Sequence, residues 1–257
     1  MATRSARSAA LAAYVLHHYD WSESSLILDL FTREQGRIAV AAKGAKKPFS
    51  QLRGVLLPFQ RLQVSLGRQP SGDETQDVHT LRGAEWAGGH PMLSGAALFS
   101  GFYLNELLMK LLARHDPHAA LFDAYAGTVA VLAAGDDAAT QAALRAFELV
   151  LLREIGLLPD LGTETASHRP VRVDRRYLVL ADAGVVETAD ENEATVGGAT
   201  LSALEMALHD DLPSLQQVAA GALAALRPLL RAQLHYHLGT SQLRTRKVMI
   251  EAQALDR

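Results

Sequence analysis

The chain contains no cysteine. That excludes disulfide bridges and thiolate metal sites, and it fits a reducing compartment. No apolar run reaches the roughly 18 residues that a membrane-spanning helix requires. The loops that usually carry phosphate, dinucleotide, zinc-protease or serine-hydrolase chemistry are also missing: there is no Gly-x-x-x-x-Gly-Lys, Gly-x-Gly-x-x-Gly, His-Glu-x-x-His or Gly-x-Ser-x-Gly. The ten histidines suggest no ligand set. His115 and His118 flank an Asp-Pro pair that reads as a helix start. His17 and His18 are expected on opposite faces of a strand, and His235 and His237 point apart on a helix. Paired carboxylates (Asp136-Asp137, Asp210-Asp211, Glu191/Glu193) read as capping or solvated acids. The expectation is therefore a soluble cytoplasmic protein, not an enzyme, with no metal and no cofactor. Arg4 and Arg7 before the run AALAAYVL superficially resemble a secretory signal. That run is short and passes straight into His17, His18 and Asp20, so it reads as a tail leading into a first strand.

What is present is a folded composition: 257 residues, 49% hydrophobic and 21% charged, ample for a real core. The net charge of −3 conceals an asymmetry. Residues 1–83 hold eleven Lys/Arg against seven Asp/Glu, a net +4, whereas 84–257 hold fourteen against twenty-one, a net −7. Between Arg33 and Arg68 the imbalance is sharpest. Arg33, Arg37, Lys43, Lys46, Lys47, Arg53, Arg61 and Arg68 face the single acid Glu34. On charge alone this stretch is either a polyanion site or a solvated face.

From Tyr14 to Arg82 the pattern is one of short strands. Leu26–Phe31 reads as a buried strand. In 36–43, Ile38, Val40 and Ala42 alternate with Arg37, Ala39, Ala41 and Lys43; in 61–67, Leu62, Val64 and Leu66 alternate with Arg61, Gln63 and Ser65. This predicts Arg37, Lys43 and Arg61 on one solvent-facing surface, with Lys46 and Lys47 on a loop tip. A turn-rich connection over 67–74 leads to a last strand near 78–82. Four or five strands in about 80 residues indicate a small barrel of the OB type.

After Gly83 the texture becomes helical. Helices are predicted over 93–114, from Asp116-Pro117 to Ala134, and then to Leu158, where Leu144, Phe147, Leu151, Ile155 and Leu158 form one stripe. Residues 160–199 read as a β-hairpin or irregular insert carrying Arg172, Arg175 and Arg176. Ser202-x-x-Glu205 matches a capping box. A helix over 213–238 should kink or split at Pro228 and end at Gly239, and a last one runs from Thr240 or Ser241 to Leu255. The fold class is thus multidomain α+β: an OB barrel at 1–83, then a mainly helical domain at 84–257 with the insert. Arg145 and Arg153 are candidate rim cations of an apolar groove that would take an acidic, hydrophobic peptide.

Glu23–Lys47 (ESSLILDLFTREQGRIAVAAKGAKK) with Gln51–Leu62 (QLRGVLLPFQRL) resembles the N-terminal domain of the RecO family of bacterial recombination mediators. Leu93–Tyr125 resembles that family's central helices. Phe147–Leu161 and Leu238–Ile250 resemble its later helical signatures. The resemblance implies binding of single- and double-stranded DNA, annealing of complementary strands in DNA repair and recombination after DNA damage, and a nucleoid-associated location. It also implies work with RecR, contact with the C-terminal tail of single-stranded-DNA-binding protein, and help in loading RecA. The family's basic positions map onto Arg33, Arg37, Lys43, Lys46 and Lys47, and its late basic cluster onto Arg244, Arg246 and Lys247. Some members carry a cysteine zinc cluster after the third helix; this chain has none, so 160–199 must be held by packing. Stacking aromatics usual in OB barrels would come from Tyr14, Tyr19, Trp21, Phe49 and Phe59. Two functions stay open: a non-enzymatic DNA-annealing mediator, or a protein-interaction hub for which DNA contact is secondary.

Overall fold

The computed structural model describes residues 10–67, 78–190, 192, 194–239, 243–245 and 247–248. Arg68, Arg246, Glu191, Glu193, the tail at 1–9, the connection at 68–77 and most of the helix expected between Thr240 and Leu255 lie outside the described residues.

Alternating apolar residues early in the chain build five strands: β1 (Leu11–Asp20), β2 (Leu26–Thr32), β3 (Gly36–Ala42), β4 (Leu62–Leu66) and β5 (Val78–Trp86). A single helical turn, α1 (Leu52–Val55), separates β3 from β4. The strands close a barrel in the order β1-β2-β3-β5-β4. β3 and β5 run parallel and every other neighbour is antiparallel, which is the OB arrangement expected. Ile38, Val40 and Ala42 from β3 and Leu62, Val64 and Leu66 from β4 fill the interior together with Ala13 and Val15 of β1 and Leu28 and Leu30 of β2. Closure gives each strand a neighbour on both sides over at least part of its length, which removes the long open edges of a flat sheet.

The outer face of β1, β2 and β3 departs from the simple alternation. Tyr14, Leu16, Phe31, Ala39 and Ala41 are buried although they point away from the barrel interior. Residues 104–126 cover Tyr14, Leu16 and Phe31. The rings of Tyr14 and Phe31 meet Phe122 at 5.3 and 5.4 Å, and Tyr125 stands edge-on to Tyr14 at 4.9 Å. Asn105 Nδ2 donates to the Leu16 carbonyl (2.9 Å), and the Tyr125 hydroxyl donates to Asn105 Oδ1 (2.6 Å). Asp29, inside the apolar-looking run of β2, is buried and accepts from Arg114 Nη2 at 3.2 Å. A bulge lies at Leu16, between the paired residues Val15 and His17. Beyond it the rings of His17 and His18 stack at 5.9 Å instead of facing opposite ways.

Three helices follow: α2 (Gly95–Leu111), α3 (Ala119–Ala134) and α4 (Asp137–Glu154). α3 opens two residues after Pro117, and the His118 carbonyl receives its first backbone bond, from Phe122 N. Gly135 (φ 76°) ends it, and the Asp136 carboxylate caps α4 by accepting from Ala139 N at 2.6 Å. Compactness divides the chain into residues 1–94 with 104–126, and residues 95–103 with 127–257. The change of texture at Gly83 is a different kind of boundary, because the barrel strands need 104–126 to bury their outer face.

In the second unit, residues 160–199 form two small sheets: β6 (Thr163–Glu164) with β7 (Arg169–Pro170), and β8 (Arg176–Leu180) with β9 (Gly184–Thr188) and β10 (Val196–Gly197). Hydrogen bonds hold the insert as well as packing. Thr165 Oγ1 accepts from Val185 N (2.8 Å), Tyr177 Oη from Arg172 N (2.8 Å), and the buried Gln233 Nε2 donates to the Val179 carbonyl (2.9 Å). α5 (Gly198–Leu208), α6 (Leu212–Gly221) and α7 (Leu223–Leu238) complete the unit. Ser202 lies inside α5 and caps nothing; Glu205 instead receives both Arg153 Nη atoms (2.6 and 2.9 Å) and Leu161 N (2.8 Å). The segment expected to break at Pro228 breaks at Ala222. Pro228 sits in the second turn of α7, where its missing N–H forfeits a single backbone bond. Gly239, at φ 62°, ends α7 as expected.

Asn105 links two buried partners in the first unit. Asn105→Ala removes the hydrogen bonds that Asn105 makes to the Leu16 carbonyl and the Tyr125 hydroxyl, and is expected to cost about 2–4 kcal/mol of stability, measured by urea denaturation. Asn105→Ala with Tyr125→Phe should recover part of that loss.

Candidate nucleic-acid interface and cationic groove

The cations of 33–47 fall into two groups, because Arg37, near the start of β3, and Lys43, just past its end, are six residues apart, about 20 Å along an extended chain. Arg33 and Arg37 lie at the β2–β3 turn. Arg33 forms a two-pronged ion pair with Asp123, at 3.0 Å (Nε) and 2.8 Å (Nη2). Arg37 is half-buried: its Nη1 donates to the Met109 carbonyl, and its Nε is buried without a hydrogen-bond partner. The expected common solvent-facing surface of Arg37, Lys43 and Arg61 is therefore not formed. Arg37 belongs to the covered outer face, which alternation alone does not distinguish from a wet one.

Lys43, Lys46 and Lys47 lie at the other end of the hairpin, beside the β1–β2 turn. That turn is tight: Trp21 N and Ser22 N both donate to the Ser25 carbonyl (3.2 and 3.3 Å). It is tied to the β3 exit loop by Lys46 N to the Ser24 carbonyl (3.0 Å), Gly44 N to Ser25 Oγ (3.3 Å), and an ion pair from Lys46 Nζ to Asp20 at 3.0 Å. Gly44 has φ 73°, and the Lys47 stem packs over it. Trp21, Ser22, Ser24, Ser25, Lys43, Gly44 and Lys47 line one open notch. Among the described residues no ion pair forms to Lys43, Lys47, Arg53 or Arg61, and all four are exposed. Arg53 stands on α1, and Arg61 immediately precedes β4.

The structure also sorts the candidate stacking aromatics. Tyr14 and Phe59 are core, whereas Tyr19 is exposed, Trp21 is 56% exposed and Phe49 is 99% exposed. Trp86, absent from the sequence expectation, is exposed too and donates Nε1–H to Gln60 Oε1 at 3.1 Å. Arg244 and Lys247 are exposed on a helical stretch. Arg172 and Arg175 pair with Asp174, and Arg175 also with Glu187. No group of three or more potential metal ligands is found among the described residues.

In the second unit a groove of about 350 Å³ lies between the start of α2 (Phe99, Tyr103), α4 (Leu144, Arg145) and α7. Arg227, Arg231 and His235 enter it at four-residue spacing, one face of a helix. Among the described residues, three arginines and no acid line it. Arg145 lines this groove, whereas Arg153 pairs with Glu205 and donates to the Pro159 carbonyl. Arg227 and Arg231 were not among the cations expected from the sequence, although their spacing is visible around Pro228. Behind Arg145 lies Glu148, fully buried, which forms an ion pair with Arg145 Nη2 (2.8 Å) and accepts from the Tyr103 hydroxyl (2.7 Å). Burial pushes the Glu148 carboxyl up from its ordinary range, against the opposing pull of Arg145 and Tyr103.

A closed OB-type barrel with an exposed cationic notch, followed by a helical region with a cationic apolar groove, defines the class as an OB-barrel protein with a mainly helical second part. Residues 8–88 match the family model "Recombination protein O N terminal", and residues 92–247 match "Recombination protein O C terminal". The chain is 56% identical over 253 residues to the DNA repair protein RecO of Variovorax paradoxus, covering 95% of this chain and 96% of that one. It is 52% identical over 246 residues to the DNA repair protein RecO of Verminephrobacter eiseniae, with the same coverage. The chain belongs to the RecO family.

The raised pKa of Glu148 carries a sign for stability. The folded state holds the proton more tightly than the unfolded chain. The resulting stabilisation is present below the unfolded carboxylate pKa and is lost as pH rises through the folded value. Glu148→Gln should therefore gain in melting temperature relative to wild type as pH is raised from 4 to 7. A constant difference across that range would contradict it.

Proposed function

We propose that this chain is a non-enzymatic recombination mediator that binds single- and double-stranded DNA and anneals complementary strands. Membership of the RecO family supports a role in DNA repair and recombination. The observation that carries the DNA reading is the grouping of exposed cations beside exposed aromatics at one end of a β2–β3 hairpin in an OB barrel. Backbone phosphates are neutralised by such cations without reading sequence, which is what annealing of arbitrary complementary strands requires. Arg33 and Arg37 remain candidate DNA residues of lesser reach, since each is already engaged within its unit. Arg53 and Arg61 in the first unit, and separately Arg244, Arg246 and Lys247 near the end of the chain, are further candidates.

The cationic groove favours a second, compatible role as a docking site for an acidic, hydrophobic peptide, with the C-terminal tail of single-stranded-DNA-binding protein as the proposed occupant. Its apolar walls would take the hydrophobic side chains and its arginines the carboxylates. Cooperation with RecR and help in loading RecA complete the proposal, with the protein acting in the cytoplasm near the nucleoid.

Charge reversal at Lys43 and Lys47 should weaken binding to both single- and double-stranded oligonucleotides. It should also reduce the log–log salt slope by about 1 for each phosphate that is no longer neutralised. Anisotropy titrations at two salt concentrations measure both. An unchanged slope would remove this face from the DNA-binding surface. In the full chain, Arg145→Glu or Arg231→Glu should abolish binding of a tail peptide while leaving oligonucleotide affinity unaltered. Strand annealing in the presence of single-stranded-DNA-binding protein tests the two roles together.

A further inference from the structure

The notch between the β1–β2 turn and the β3 exit loop combines three chemistries that a plain phosphate-binding patch does not need. Trp21 contributes a large exposed π-face. Lys43 and Lys47 contribute two ammonium groups. Ser22 and Ser24 contribute hydroxyls on the same wall. Its volume of about 470 Å³ falls within the range of small-ligand sites, roughly 300–1,000 Å³. The walls are also fixed in advance: the Ser24–Lys46, Ser25–Gly44 and Lys46–Asp20 links hold the turn that carries Trp21 against the loop that carries Lys47. Lys46 thereby acts as a brace, while Lys43 and Lys47 stay available.

We propose that this notch is a nucleotide subsite selective for single strands, in which one unpaired base stacks on Trp21 while its flanking phosphates contact Lys43 and Lys47. The inference rests on the DNA-binding reading above and deepens it. A duplex presents its phosphates to the lysines equally well, but the faces of its bases are covered by their neighbours. Stacking on Trp21 is open only to a base that has left the stack, so the indole discriminates between strand states and the lysines do not. Phe49, projecting from the same loop two residues beyond Lys47 and fully in solvent, offers a second ring to the adjacent base. A simple anion site would involve the lysines and leave Trp21 without a role.

The test uses the full chain with a labelled oligo(dT) and a duplex of equal length. Trp21→Ala should weaken oligo(dT) binding roughly tenfold, the order expected for loss of one stacked base, with duplex binding changed less than about twofold. Trp21→Phe should restore most of the single-strand affinity. The chain has two tryptophans. In a Trp86→Phe background the fluorescence of Trp21 should therefore be quenched by oligo(dT) and not by duplex, a readout that needs no alteration of Trp21. Equal losses for both DNAs, or no loss and no quenching, would overturn the subsite. If Trp21→Ala is silent while Lys43→Glu with Lys47→Glu weakens both DNAs, the subsite fails alone. If those lysine variants are silent too, the DNA reading of this face fails with it.

Discussion

Burial of both faces of β1, β2 and β3 is the constraint on which the first unit depends. A five-stranded barrel of about eighty residues has a small interior, here largely aliphatic, and small cores supply little net stability. Tyr14 and Phe31 add a second core outside the barrel against Phe122 and Tyr125. Polar groups caught in that layer must then be paired. Asp29 finds Arg114, the Leu16 carbonyl finds Asn105, and Arg37 finds the Met109 carbonyl. Among the described residues of the barrel, the exposed cations without an ion pair lie where the strands run out of this cover, at the Lys43 end of the hairpin and beyond.

This explains what was legible in the sequence and what was not. The inward positions of β3 and β4 follow from a period of two, which is a local property, and so does closure into a small barrel. The state of the outward positions is not local. Arg37 and Lys43 share one parity in the sequence, yet one is packed and the other exposed, because only tertiary structure says where the cover from 104–126 stops. Asp29 hid inside an apolar run for the same reason. The helical caps at Asp136 and Gly239 were readable because their chemistry is satisfied within four residues.

Glu205 shows the opposite failure. Ser202-x-x-Glu205 has the spacing of a capping box, but α5 begins at Gly198, and the carboxylate is drawn to Arg153 and to the backbone at Leu161. A short local motif was outweighed by a long-range ion pair with several supporting hydrogen bonds. The groove was half-visible. Arg145 stood out beside an apolar stripe, whereas the break expected at Pro228 concealed the one-face spacing of Arg227 and Arg231.

The pairing of Arg145 with a fully buried Glu148 divides the labour among the groove's cations. The pair is close to neutral at a distance when both are ionised, so it contributes little to the long-range field. Arg227 and Arg231 are exposed on α7, and rim charges of this kind govern how often an anion arrives and how strongly ionic strength slows it. Arg145, oriented from behind and only 16% exposed, acts at short range, where desolvated hydrogen bonds govern how long a ligand stays. For the acidic peptide proposed above, encounter rate and residence time would fall to different helices, and each could change without the other.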